Sequence, residues 1–397
     1  MTAGEPVVRF AARGDGVTAS GRYVPGGVPG DTVNGESLCH GPHHRAPPCR
    51  HFGDCGGCQL QHADDIALAQ FVSGRIVAAL STAGVVPAHV HGVHLSPPGS
   101  RRRASLRAQC AGDAVRVGFN APQSHRIVPL AECAVLTPAL WRIVVALRDL
   151  LPGIVAGTAV AIAITETATG TDMLIEGGIR TDSASRAMLA DFGRTFAVAR
   201  IAHSDESGTS TLAERAVPQV LLDGVPVALP HAAFLQATAD GEAALQAAVQ
   251  ASTIGAKRVA DLFCGVGTFA LPLSVAARVA AVDAAGPAVA ALGAAAKAAD
   301  RRVETAHRDL YRRPLDKQEL AAFDAVVLDP PRAGAETQVR EIARSTVPRV
   351  AYVSCNPATF ARDAKLLATA GFRLTELWPV GQFRWSTHVE LAAAFVR

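Results

Sequence analysis

The chain has 397 residues, more than one ordinary hydrophobic core accommodates, so two or three domains are expected. Hydrophobic residues make up 49% and charged residues 18%, the balance of a soluble globular protein, and a net charge of +3 is too small to announce a nucleic-acid partner by itself. The segment Met1 to Pro6 lacks the basic and apolar regions of a signal peptide. No apolar run reaches the roughly 18 residues of a membrane span, which leaves a cytoplasmic chain without a membrane partner as the expectation.

Residues 1–44 are rich in glycine and proline, with short β-type runs such as Val7-Val8-Arg9-Phe10. Turn signals at Pro25-Gly26-Gly27 and Pro29-Gly30-Asp31 suggest a small, abbreviated β-barrel. Residues 45–230 combine a cysteine cluster, a helical stretch near Ile66 to Ala83 and strand-like runs at Val115 to Phe119 and Ala159 to Thr165, a mixed α+β region. Arg101, Arg102, Arg103 and Arg107 form its densest basic patch, equally compatible with a solvated surface and with phosphate contacts.

Residues 231–397 read as α/β. Strand-like runs end at Phe263, Asp283, Asp309, Asp329, Cys355 and Val380, and a last run covers Val389 to Val396. Helical segments between several of them imply a parallel, doubly wound, Rossmann-like sheet, in which ligands bind outside the carboxyl ends of the strands. Asp261-Leu262-Phe263-Cys264-Gly265-Val266-Gly267-Thr268 would follow the first strand, its glycines allowing a tight turn and close approach to a ligand. Phe263, Gly265 and Gly267 are therefore cofactor candidates. Asp283 is placed to accept ribose hydroxyls and Asp309 to receive an adenine amino group, although each alone could be a helix cap. A nicotinamide enzyme would more often have a third glycine where Ala270 stands.

Two further segments face the same cleft. Leu328-Asp329-Pro330-Pro331-Arg332-Ala333-Gly334 ends the fourth strand, and Tyr352-Val353-Ser354-Cys355-Asn356-Pro357 ends the fifth. A cysteine at a strand end beside a cofactor cleft is positioned as a nucleophile, whereas an isolated free cysteine is usually buried and inert. Cys264 is of the second kind, a packing residue. Asp-Pro-Pro also occurs in amino methyltransferases, but with an aromatic residue next; here Arg332 follows.

Cys49, Cys55 and Cys58 lie close together and Cys133 far downstream. In a cytoplasmic chain this spacing favours metal over disulfides, and four thiolates suit tetrahedral zinc or an iron–sulfur cluster. Cys39 and Cys110 have no partner pattern and read as structural packing residues, and His40, His43, His44 and His51 read as surface or loop histidines.

With these segments together, the chain resembles the uracil-C5 RNA methyltransferase family, class I enzymes that use S-adenosylmethionine. The matching stretches are Asp261 to Leu273, Asp329 to Gly334, Ser354 to Asp363, Ser386 to Glu390 and Phe234-Leu235-Gln236, and the resemblance covers nearly the whole chain. It implies a nucleophile at Cys355, a base at Glu390, assistance from Asp329, and uracil or cofactor contacts at Phe234 and Gln236, with Arg332 on the substrate side. It also implies a [4Fe–4S] cluster on Cys49, Cys55, Cys58 and Cys133, an RNA-binding TRAM module in residues 1–44, and 23S rRNA as the substrate, because cluster-bearing relatives mostly act there. A transfer-RNA substrate and a non-catalytic iron–sulfur RNA-binding factor are the alternatives. The family usually has Asn where Thr238 stands.

Overall fold

The computed structural model describes residues 4–111 and 114–397; Met1–Ala3, part of the segment read for a leader, lie outside them. Five short strands open the chain: β1 (Glu5–Phe10), β2 (Gly16–Thr18), β3 (Tyr23–Val24), β4 (Thr32–Asn34) and β5 (Ser37–Cys39). They pair antiparallel in the order β3-β2-β1-β4-β5 over a small core of Val7, Val24 and Val33. Among the described residues β3 and β5 do not join, so the expected barrel is an open half-barrel. Fully buried Asp31 organises its turns, accepting from the amides of Val28 (2.8 Å) and Gly41 (2.7 Å) and bonding Nδ1 of His44 (2.9 Å). Burial alone would raise its pKa; those hydrogen bonds hold it below the ordinary value.

Helix α1 (Asp65–Thr82) begins where the Asp64 side chain accepts from the Ala67 amide, and buries a stripe of Leu68, Phe71, Val72, Ile76 and Leu80. Two short strands follow, β6 (His89–Val90) and β7 (His94–Leu95). A seven-stranded sheet comes next, from β8 (Arg103–Ala111), β9 (Ala114–Asn120), β10 (Ile127–Pro129), β11 (Val155–Thr167), β12 (Gly170–Ile179), β13 (Val198–Asp205) and β14 (Gly208–Glu214), in the order β10-β9-β8-β11-β12-β13-β14. Helices α2 (Pro138–Ile154) and α3 (Ser183–Thr195) share its core, with α2 contributing Leu140, Ile143, Val144, Leu147 and Leu151 at helical spacing. The hairpin β15 (Gln219–Leu222) and β16 (Val225–Ala228) leads into α4 (Ala239–Ser252).

The last third alternates strand and helix: β17 (Arg258–Leu262), α5 (Ala270–Leu273), β18 (Arg278–Asp283), α6 (Gly286–Ala298), β19 (Val303–His307), α7 (Lys317–Leu320), β20 (Ala325–Leu328), α8 (Glu336–Arg344), β21 (Arg349–Ser354), α9 (Pro357–Thr369), β22 (Arg373–Gly381) and β23 (Glu390–Val396). The sheet order is β19-β18-β17-β20-β21-β23-β22-β6, with β7 also on β22. Strands β17 to β21 pair parallel, but β23 is antiparallel to both neighbours, so the sheet is mixed rather than wholly parallel.

Alternation along the strands sends side chains to two cores. Leu262, Leu328 and Tyr352 pack with α1, α8 and α9; Val259, Val327 and Val353 pack with α4, α5 and α6. This is the doubly wound arrangement that the apolar strand runs imply. Within the 45–230 segment the chain divides between two sheets, since α1 packs on α9 and β22 while β6 and β7 extend the C-terminal sheet. No described helix is long and apolar enough to cross a membrane.

Candidate active site and cysteine cavity

The turn after β17 begins one residue earlier than the apolar run suggests, because Phe263 already has φ +64°. Gly265 (φ +54°) and Gly267 (φ +97°) continue the turn in a region that costs other residues energy. A Cβ on Gly267 would lie 2.4 Å from Cδ1 of Leu292 on α6, whereas one on Gly265 would meet nothing within 4 Å. The first glycine to be demanded by packing is therefore Gly267, and Gly265 leaves open space. Asp283 is bound to this loop, one oxygen accepting from the Gly265 amide (2.9 Å) and the other from Ala285 (2.8 Å). Asp309 lies two residues beyond β19 and accepts from the amides of Tyr311 (2.9 Å) and Arg312 (3.3 Å). Tyr311 in turn packs on Phe263, ring centroids 5.5 Å apart, and donates to the Gly334 carbonyl (3.0 Å).

At the neighbouring strand ends, antiparallel β21 and β23 pair as far as Ser354↔Leu391, so that Cys355 directly follows β21 and Glu390 is the first residue of β23. Four acidic or thiol groups there are pushed toward their neutral forms. Glu390, 5% exposed, is raised to about 8, first by burial and then by Asp329. Asp329 is raised to about 7 by burial and by Asp283. The Cys355 thiol is raised to about 11 by burial, Glu390 and Asp329, while Arg332 opposes them. Asp261, fully buried, is pushed well above the ordinary range by burial and by Asp329 and Asp283, against the Ala270 amide, which lowers it. The strand ends thus gather three desolvated carboxyls, whose charged forms a cationic ligand would favour.

Sequence reasoning missed Gln382, which ties this pocket together. Its Oε1 accepts from the Ala237 amide (2.9 Å) and its Nε2 donates to Oε1 of Gln236 (2.7 Å); it also hydrogen-bonds Glu390, favouring the carboxylate. Gln236 reaches Asp329 at 3.4 Å. A glutamine between two strands carries no distinctive local pattern, so only tertiary structure reveals it. Thr238, at the departure from the family pattern, is consumed structurally: it caps α4 through the Gly241 amide (3.1 Å) and bonds Ser96 (2.8 Å). Arg332 lies on the exposed side, Nη2 against Nδ1 of His388 (2.6 Å) and its carbonyl held by Asn356 (2.9 Å) and Thr359 (3.1 Å). Cys264 is a buried core residue, 3% exposed.

The basic patch does not present four equivalent cations. Arg102 is spent inward, on Glu242 (2.6 Å) and the Gln236 carbonyl (3.1 Å), which removes it from the phosphate-facing set. Arg101 lies 5.4 Å over the Phe383 ring. Arg103 bonds the Leu235 carbonyl and sits 4.8 Å over the ring of Phe234, itself 63% exposed. Arg107 is exposed and, by the alternation of β8, shares a face with Arg103 and Ser105.

Cys49, Cys55, Cys58 and Cys133 come together around one cavity of about 300 Å³, also lined by Arg101 and His388. Burial raises the thiols of Cys55 and Cys133, and that of Cys58 to about 12. Four thiols around one cavity suit either a tetrahedral zinc ion or an iron–sulfur cluster. The nearby histidines are not idle surface groups. His43 bonds Asp64 (3.0 Å), His44 bonds Asp31, and His51 accepts from the Ala131 amide (2.8 Å). Cys39 is exposed, which rules out a packing role.

The C-terminal residues 229–397 match the family model described as tRNA (Uracil-5-)-methyltransferase. An uncharacterized RNA methyltransferase of Zymomonas mobilis is 43% identical over 98% of this chain and 99% of its own length. The 23S rRNA (uracil(1939)-C(5))-methyltransferase of Yersinia enterocolitica is 32% identical, covering 94% of this chain and 90% of that protein. Among solved structures, the Pyrococcus abyssi tRNA (uracil-54, C5)-methyltransferase in complex with S-adenosyl-L-homocysteine shares the fold, with a TM-score of 0.73, 22% identity, and coverage of 98% of this chain and 99% of that one. The chain belongs to the family of S-adenosylmethionine-dependent RNA (uracil-C5)-methyltransferases.

Proposed function

We propose that the chain methylates C5 of a uridine in 23S rRNA through a covalent bond between Cys355 and C6 of the uracil. The observation carrying this reading is that Cys355 directly follows β21 and Glu390 opens the adjacent antiparallel β23, near enough for the Glu390 carboxylate to raise the Cys355 thiol. C5 of uracil is too weak a nucleophile to take a methyl group unaided. Attack of the Cys355 sulfur on C6 moves the C5–C6 π electrons toward C5 and the O4 enolate, and the thiol proton leaves to a neighbouring carboxylate, a role we give to Asp329, whose charge acts on Cys355. S-adenosylmethionine supplies the electrophilic methyl group, and Gly265, Gly267, Phe263, Asp283, Asp309 and Gln236 would hold it. Glu390 then removes the C5 proton, the C5–C6 double bond re-forms, and the thiolate is expelled.

Phe234 offers an exposed ring on which an unstacked base can lie, with Arg103 behind it and Arg107 along the same strand face for phosphates. Arg332 would close the substrate side. Ribosomal RNA is preferred over transfer RNA because the full-length relative from Yersinia bears that name and the four cysteines suit a [4Fe–4S] cluster. That cluster would supply a rigid cross-link rather than electrons, since the methyl transfer needs none. The half-barrel at residues 1–44 would serve as a shortened TRAM module.

The mechanism separates bond formation from resolution. Glu390→Gln should form the protein–RNA adduct but release it slowly, so a covalent complex survives denaturing electrophoresis. In the wild type, product release should rise with pH and level off above about 8, because Glu390 acts only as its carboxylate. A Glu390→Gln enzyme that turns over at the wild-type rate without accumulating adduct would contradict the assignment.

A further inference from the structure

We propose that His89, His91 and Glu376 form a second metal site, for a divalent transition ion of the zinc class, on the outer edge of the catalytic sheet. Strand β6 is parallel to β22 with His89 opposite Glu376, and the amides of Ala88 and His91 donate to Leu374 O (2.9 Å) and Leu377 O (2.8 Å). The two-residue period of a strand then sends His89 and His91 to the same face as Glu376 and Trp378, while Val90 and Leu377 turn to the α1 side. Across from Glu376 and Trp378, β23 offers only Ala394 and Ala392, which leaves room for ligating side chains.

His91 is held by the flat stack of its ring on Trp378, centroids 4.6 Å apart at 10°, and its Nε2 lies 2.7 Å from Oε2 of Glu376. His89 packs edge-on against His91 at 4.5 Å and is exposed, free to swing. Among the described residues this is the one group of three histidine, cysteine or carboxylate side chains whose ligand atoms all lie within 4.8 Å of one another. Small rotations of His89 and Glu376 bring those atoms to the roughly 3.3 Å separation of a tetrahedral zinc site with nitrogen and oxygen ligands. Two imidazoles and one carboxylate match the borderline ions, with water in the fourth position, and disfavour magnesium or calcium. An ion here would clamp β6, which arrives from the N-terminal third, to β22, which lies beside the strand carrying Glu390.

Zinc binding is measured by equilibrium dialysis on the anaerobically purified full chain, with His89→Ala/His91→Ala and Glu376→Gln alongside. The four cysteines can also take zinc, so the difference in stoichiometry is what matters. Wild type should bind one equivalent more than the double variant, and Glu376→Gln should weaken that equivalent by more than about tenfold. Zinc should raise the unfolding temperature of wild type further than that of the double variant. Cobalt as a probe should add d–d bands without thiolate charge transfer. Equal zinc stoichiometry in wild type and the double variant overturns the proposal, as does an extra cobalt ion showing thiolate charge transfer.

Discussion

Gly265 and Gly267 have left-handed backbones two residues apart, yet they answer to different demands. At Gly267 the added methyl of alanine collides with Leu292, so Gly267→Ala should destabilise the fold by about 1–3 kcal/mol. At Gly265 the methyl enters open space, so the loss should fall on cofactor affinity, with only about 1–2 kcal/mol of backbone cost. Urea unfolding and calorimetric titration with S-adenosylmethionine separate the two, and equal loss of affinity at matched stability would contradict the contrast. The sequence makes both glycines visible but not their difference, because Leu292 comes from a helix that no local pattern connects to the loop. Gln382 was hidden for the same reason. Cys355 and Glu390, by contrast, lie in distinctive short segments, and their placement at the ends of adjacent strands follows from the strand order.

Helices and strands were legible wherever burial is one-sided or two-sided in a regular period. The stripe of α1 and the apolar runs of β17, β20 and β21 carry their own signal. The antiparallel direction of β23 was not legible, since an apolar strand reads the same either way along the chain. Nor was the inward use of Arg102. Three consecutive arginines look like a cationic surface, but Arg102 enters a junction where Glu242 on α4 is buried; burial raises the Glu242 carboxyl, and Arg102 counters it. Breaking one side of such a pair leaves an uncompensated buried charge. Arg102→Ala should therefore cost about 3–5 kcal/mol, more than the double change Arg102→Met/Glu242→Leu, as read by urea denaturation. An Arg102→Ala loss no greater than that of the double change would place the pair among weak surface bridges.

At the scale of the molecule, the N-terminal third is not an appendage to the catalytic sheet. Gln59 and Leu60 donate backbone hydrogen bonds to the Trp385 carbonyl (2.7 and 2.9 Å), fastening the cysteine segment to the loop that precedes Glu390. His388, on that same loop, lines the cysteine cavity and bonds Arg332. A cluster on these cysteines would therefore brace both the RNA side and the base-bearing loop. Cys55→Ser should abolish iron–sulfur absorption, lower the unfolding temperature and weaken RNA binding; unchanged stability and binding would reduce the cavity to a passive feature. The central claim is tested most directly by incubating the anaerobically purified enzyme and its Cys355→Ala variant with labelled S-adenosylmethionine and unmodified 23S rRNA or transfer RNA, followed by nucleoside analysis. The account predicts labelled 5-methyluridine in ribosomal RNA from the wild type alone, whereas methyl on a base nitrogen, or 5-methyluridine formed equally well without Cys355, would contradict it.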